Sequence, residues 1–151
     1  MVPEDDANRY LANGFIKEPS IDVSTIQIVP PSGGWIKVLE DFKNTYAARL
    51  VKYKDMHLIL LIDFDNQVEN RTTTIRQLIP EAVADRVYIL GVSSEPEPLR
   101  TALRKSLEDI GTELAEACQG NIEGHWNNQL LSHNKSELER LTNSVKPFLF
   151  Q

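Results

Sequence analysis

The chain has 151 residues, 41% of them hydrophobic and 25% charged. That balance suits one domain with its own core and excludes disordered, collagen-like and coiled-coil classes. Sixteen basic residues against 22 acidic ones leave a net charge of −6, which argues against a surface that grips nucleic acid by basic charge alone.

No apolar run approaches the ~20 residues of a membrane helix, so no membrane partner is expected. The start carries Pro3 and the acids Glu4, Asp5 and Asp6 rather than the basic and apolar regions of a secretory leader. The single cysteine, Cys118, excludes an internal disulfide and fits a reducing, cytoplasmic setting.

In chain order, Ala7 to Ile16 reads as a helix that Asp5 or Asp6 can cap, with Tyr10, Leu11 and Phe15 on one stripe. The β-branched run Thr25 to Val29 reads as a short strand closed by Pro30, Pro31 and the turn Ser32-Gly33-Gly34. Trp35, Val38, Leu39, Phe42, Tyr46 and Leu50 then recur at helical spacing. His57 to Ile62 and Val87 to Val92 are continuous apolar strands of the kind buried in parallel sheets.

Between those strands, Thr72 to Ile79 reads as a helix stopped by Pro80. Leu99, Leu103, Leu107, Ile110, Leu114 and Cys118 make one long helical stripe. A last helix, with Asn134 and Glu137 as its capping pair, carries Leu138, Leu141 and Val145 and ends at Pro147, before an apolar tail from Phe148 to Phe150. His125 and His133 have no ligand partners at zinc spacing and read as surface or interface residues, and Cys118 reads as core. The alternation predicts an α/β domain with a mainly parallel sheet.

Sites in open parallel sheets form at the carboxyl ends of strands, and two acidic groups fall there: Glu4-Asp5-Asp6 before the first helix, and Asp63 with Asp65 directly after HLILLI. Alternation along an extended chain predicts that Asp63 and Asp65 point the same way, with Phe64 turned opposite. Two uses suit such acids. They can cap helices and solvate loops, or they can share a hard cation such as Mg²⁺. Gly33-Gly34 can be a plain tight turn, or a place where a phosphate comes close to backbone at a helix start. Glu95, after the Val87 strand, can be a further cation ligand or a first-turn acid that suits a helix dipole, as can Glu97.

PEDDANRYLANGF, IVPPSGG followed by a helix, and LLIDFD together resemble three motifs of Toprim domains, the catalytic module of topoisomerases, primases and OLD-type nucleases. The resemblance covers roughly Met1 to Val92. It implies a three-layer Rossmann-like fold over residues 1–92 with additional C-terminal helices over 93–151, all in one domain. It also implies Mg²⁺- or Mn²⁺-dependent phosphodiester chemistry on nucleic acid, with Glu4 as general acid/base, and Asp63 and Asp65 as metal ligands.

Asp5 stands where the family carries glycine, and Met1 to Pro3 leave room for only a short first strand. With this net charge, nucleic acid would be met through metal or a partner protein. An ATPase or helicase partner and a homo-oligomer both fit that reading.

The chain resembles a response-regulator receiver more distantly. There Asp5 and Asp6 would hold Mg²⁺, Asp63 would accept a phosphoryl group, and Ser93 or Ser94 would supply a hydroxyl. The receiver's lysine after a fifth strand has no counterpart here. A third reading is a catalytically silent α/β module that binds a partner protein through its acidic surface and apolar tail.

Overall fold

The computed structural model describes all 151 residues. Three parallel strands, β1 (Val2–Pro3), β2 (Leu58–Leu61) and β3 (Val87–Leu90), form one sheet in the order β1-β2-β3. Val2 stands opposite Leu60, and Leu58 opposite Val87. The apolar runs become central strands because both of their faces are covered. Leu58, Leu60, Ile62, Val87 and Ile89 pack with Val38, Phe42, Leu50 and Ile75. The alternate residues Ile59, Tyr88, Leu90 and Val92 pack with Ile110, Leu114, Leu138, Leu141 and Val145. The chain is therefore mixed α/β, and the helices after Val92 supply much of one of its two core clusters. No helix is long and apolar enough to cross a membrane.

Several elements differ from the sequence reading. Thr25 to Val29 is not a strand, although the segment follows β1 closely. Met1 N donates to Gln27 O at 2.5 Å, Val29 N to Met1 O and Ser32 N to Pro3 O, the last two at 3.0 Å. Pro3, Pro30 and Pro31 have no N–H to give, so a regular ladder cannot continue past the first rungs.

The helix expected from Trp35 to Leu50 is α2 (Trp35–Asp41), a π-helical turn (Phe42–Tyr46) and α3 (Ala47–Lys52). The Ala47 N–H reaches back five residues to Phe42 O. That wider turn shifts the phase so that Phe42 and Leu50 are both fully buried.

Helix α4 (Val68–Leu78) begins earlier than expected, and the short α5 (Glu81–Ala84) follows Pro80. The single stripe from Leu99 to Cys118 is two helices, α6 (Pro96–Leu103) and α7 (Leu107–Gln119). They break at Arg104, which has a left-handed φ of 53°. Ser106 then caps α7 by accepting from Asp109 N at 3.1 Å. Leu103 and Leu107 are four apart, so the apolar spacing runs through the break unmarked.

The last helix, α8 (Lys135–Leu149), contains Pro147 instead of ending at it. A proline so near the carboxyl end forfeits only one helical bond. Helix α1 (Asp6–Phe15) lies against α7 at backbone distance. A Cβ on Gly14 would sit 1.9 Å from Glu108 O, and one on Gly111 would sit 2.1 Å from Leu11 O.

Asn134 stands at the start of α8 but does not cap it. Its buried side chain instead clamps Gly91, the residue after β3. Nδ2 donates to Gly91 O at 2.9 Å, and Gly91 N donates to Oδ1 at 3.2 Å. Gly91 must lack a Cβ, which would fall 1.8 Å from the Ile62 carbonyl oxygen. Capping and clamping are separable by substitution, since serine is as good a cap as asparagine but too short to span both groups. Asn134→Ser and Asn134→Ala are each expected to lose about 2–3 kcal/mol in urea unfolding. A wild-type Asn134→Ser would show that capping is all Asn134 does.

Candidate functional site

The carboxyl ends of β1 and β2 deliver Glu4 and Asp63 side by side. Glu4 N donates to Leu61 O at 2.8 Å, continuing the parallel ladder. The next rung would run from Asp63 N–H to the Glu4 carbonyl. That carbonyl is turned the other way, where it accepts from Gly33 N at 2.8 Å and Gly34 N at 3.2 Å. The Glu4 carboxylate replaces it, accepting from Asp63 N at 2.6 Å through Oε2. A side chain thus closes the sheet, and both acids are held at its edge, each under a tenth exposed.

A second chain of bonds comes from α1. Asp5 caps the helix through Oδ1, accepting from Asn8 N at 2.9 Å and from Asn8 Nδ2 at 3.0 Å. The same Nδ2 donates to Asp63 Oδ1 at 2.8 Å. Asn8 is fully buried, so one amide fixes the orientation of two carboxylates. From α4, Arg71 donates through Nη1 to the Asp63 carbonyl oxygen and through Nη2 to Asp65 Oδ2, the latter at 2.5 Å. Its guanidinium carbon lies 4.8 Å from the centre of the Trp35 ring.

Asp65 leaves the extended backbone that strand alternation assumes, although its charge still acts on Asp63. The strand has ended by then, and Asp65 and Asn66 take left-handed φ values of 45° and 61°. Asp63 is buried, whereas the Asp65 side chain is 53% exposed and paired with Arg71. Phe64 is buried among the β2 and α4 residues as expected. Glu95 stands next to Ser94, whose carbonyl accepts from Asp65 N at 3.0 Å. Its own side chain is exposed and bonds nothing in the chain.

Gly33 and Gly34 sit beside Glu4 with their N–H groups committed to its carbonyl, and with open space where a Cβ would stand. Asp6 lies outside the cluster, exposed and paired with Arg9 at 2.9 Å. No three His, Cys, Asp or Glu side chains come close enough together to form a ready-made metal site.

Sequence reasoning missed Arg71 and the bridging role of Asn8. Arg71 carried a readable signal, because Val68, Arg71 and Ile75 share helical spacing and place an arginine on the buried stripe. The other flagged residues lie elsewhere. His133 stands edge-on to Phe64, with ring centres 5.1 Å apart. His125 meets Glu113. Cys118 is buried, and burial pushes its thiol up to about 12, which makes it inert. The chain matches no protein-family model, no curated protein and no solved structure.

Electrostatics follow from the geometry. Arg71 is the one cation bonded into the cluster, and neither Glu4, Asp5 nor Asp63 has an ion-pair partner. Burial raises the Asp63 carboxyl from its ordinary 3.8 to about 7. The hydrogen bond from Asn8 works against the rise, and the charges of Asp5, Glu4 and Asp65 add to it. Glu4 is also raised, first by burial, while the bond from Asp63 N–H opposes the shift.

An acid whose folded pKa exceeds its unfolded value holds its proton more tightly in the folded state. The Asp63 contribution is therefore most favourable at about pH 4 and below, and is lost as pH rises through about 7. In metal-free buffer, raising the pH from 5 to 8 is expected to cost the wild type on the order of 2–4 kcal/mol in chemical unfolding. Asp63→Asn keeps the acceptor for Asn8, and should flatten most of that slope and be the more stable protein at pH 8. An unchanged slope would mean that Asp63 is ionised throughout this range.

Proposed function

We propose that this protein carries out Toprim-like, Mg²⁺- or Mn²⁺-dependent phosphodiester chemistry of the nuclease type on nucleic acid, as a subunit of a larger assembly. The sheet, with helices on both faces, would be the centre of a three-layer Rossmann-like fold. The observation that carries the reading is the pair of buried carboxylates, Glu4 and Asp63, held together at the carboxyl edge without a cation of their own.

The donor set suits a hard divalent cation. Mg²⁺ takes one or two carboxylates and fills its remaining positions with water and substrate phosphate oxygen. A closed cage of three acids is not required, and none is present. Asp63 and Asp65 would hold the cation, with Glu95 on the neighbouring loop as an outer acid. When bound, the cation stabilises charge on a transferring phosphoryl group.

The chain's own residues do the rest. Asn8, fixed by Asp5, holds Asp63 in one orientation. Glu4, its pKa raised by burial, has a second carboxylate oxygen not taken up by Asp63 N–H, which suits it to move a proton to or from a reacting oxygen. Gly33 and Gly34 provide open space beside Glu4 for a phosphate, while their amides hold the Glu4 backbone. With a net charge of −6, the contact with nucleic acid is made through the cation or a basic partner. An ATPase or helicase is the class of partner expected, and a homo-oligomer is compatible with the same reading.

Thermal unfolding in EDTA, Mg²⁺ or Mn²⁺ tests the reading. A cation at a hundredfold excess over Kd should stabilise the wild type by about 2.7 kcal/mol, and Asp63→Asn should abolish the effect. Glu4→Gln should keep the metal response but lower metal-dependent oligonucleotide cleavage by about 10²–10⁴-fold. No stabilisation at millimolar metal would instead point to a silent interaction module.

A further inference from the structure

Arg71 is held from three sides. Nη1 is bonded to the Asp63 carbonyl, Nη2 donates to Asp65 Oδ2 at 2.5 Å, and the Trp35 ring lies against the guanidinium at 4.8 Å. The two partners of the ion pair differ in freedom. The Arg71 side chain is 10% exposed and that of Asp65 is 53% exposed. Asp65 sits in a left-handed turn that leaves it open to solvent, while Arg71 has no other ion-pair partner. Anything that takes the Asp65 carboxylate away therefore leaves a mostly buried guanidinium uncompensated. That is costly until another anion replaces the carboxylate.

Resting on the cation reading above, we propose that Arg71 is the phosphate-binding residue of this site and that Asp65 keeps it occupied until a divalent cation arrives. Cation and guanidinium compete for one carboxylate. Once the cation holds Asp65, Arg71 stays anchored through the Asp63 carbonyl and the Trp35 ring, and Nη2 is left for a phosphate oxygen. A planar guanidinium with several donors suits that ligand better than an ammonium would. Cation and phosphate then bind cooperatively, because each removes the obstacle to the other. The arrangement also keeps a strongly acidic site from holding phosphate before its cation is in place.

The test measures fluorescence anisotropy of a labelled, cleavage-resistant phosphorothioate oligonucleotide with Mg²⁺ or EDTA. Thermal unfolding of the same samples reports metal binding independently. The wild type should bind the oligonucleotide about tenfold or more tightly with Mg²⁺ than with EDTA. Arg71→Gln should lose that gain while its unfolding temperature still responds to Mg²⁺.

Asp65→Asn changes an exposed side chain and leaves Arg71 its bond to the Asp63 carbonyl and its contact with the Trp35 ring, so it covers the case in which Arg71→Gln fails to fold. It should bind the oligonucleotide in EDTA about as tightly as the wild type does with Mg²⁺. Asp6→Asn, which makes the same charge change outside the cluster, should not. The proposal is overturned if Asp65→Asn binds no better in EDTA than Asp6→Asn, or if Arg71→Gln keeps the Mg²⁺-dependent gain. A wild type with no thermal response to Mg²⁺ would overturn the cation reading, while the EDTA comparison of Asp65→Asn with Asp6→Asn still decides the role of Arg71.

Discussion

One rung of the sheet is made by a side chain. The bond from Asp63 N–H to the Glu4 carboxylate occupies the place of a main-chain bond, and much of the site follows from that exchange. The Glu4 carbonyl is free to anchor the Gly33-Gly34 turn, which leads directly into α2 and places Trp35. Through the same rung, a carboxylate that would ordinarily seek water is fixed at the end of β2, next to a second buried acid. Two neighbouring buried acids are unfavourable when both are ionised, and the Glu4 charge adds to the rise of the Asp63 carboxyl at the edge where α/β sheets bind ligands.

The surrounding structure supports that edge at three points. Helix α1 supplies Asp5 and Asn8, and its backbone approach to α7 through Gly14 and Gly111 holds it there. Helix α4 supplies Arg71, the one positive group bonded into the cluster. On the far side of β2, the Asn134 clamp on Gly91 and the close approach of Gly91 to Ile62 fix the adjoining end of β3. Each of these contacts holds backbone or an acid in position, and none neutralises Glu4 or Asp63. Arg71 pairs with Asp65 and its charge favours ionised Glu4, but Glu4 and Asp63 have no ion-pair partner of their own.

Period and composition made β2, β3 and the first helix legible in the sequence, with acids at the end of β2, while β1 is too short to show a period. Continuous apolar runs can be buried only between two packed faces, and the acids fall where those runs stop. Features that depend on backbone chemistry rather than side-chain period were less legible. Prolines emptied the rungs beside β1, a five-residue turn rephased the Trp35 helix, and the Arg104 break left the leucine spacing undisturbed. At the site, Asp65 departs from strand alternation because the chain has already entered a left-handed turn. From its position Asn134 reads as a cap, but its side chain bonds the backbone of Gly91, just past β3 and 43 residues away. Long-range hydrogen bonds of that kind leave no local sequence pattern.

The most direct measurement is a carbon-detected NMR titration of the Asp63 carboxyl, run without metal and again with saturating Mg²⁺. A midpoint near 7 without metal, falling by more than a unit when Mg²⁺ is present, is the expected result, because a nearby cation favours the ionised form. A midpoint near 4 in both titrations would contradict it, since Asp63 would then be an ordinary ionised acid with no unmet charge for a cation to satisfy.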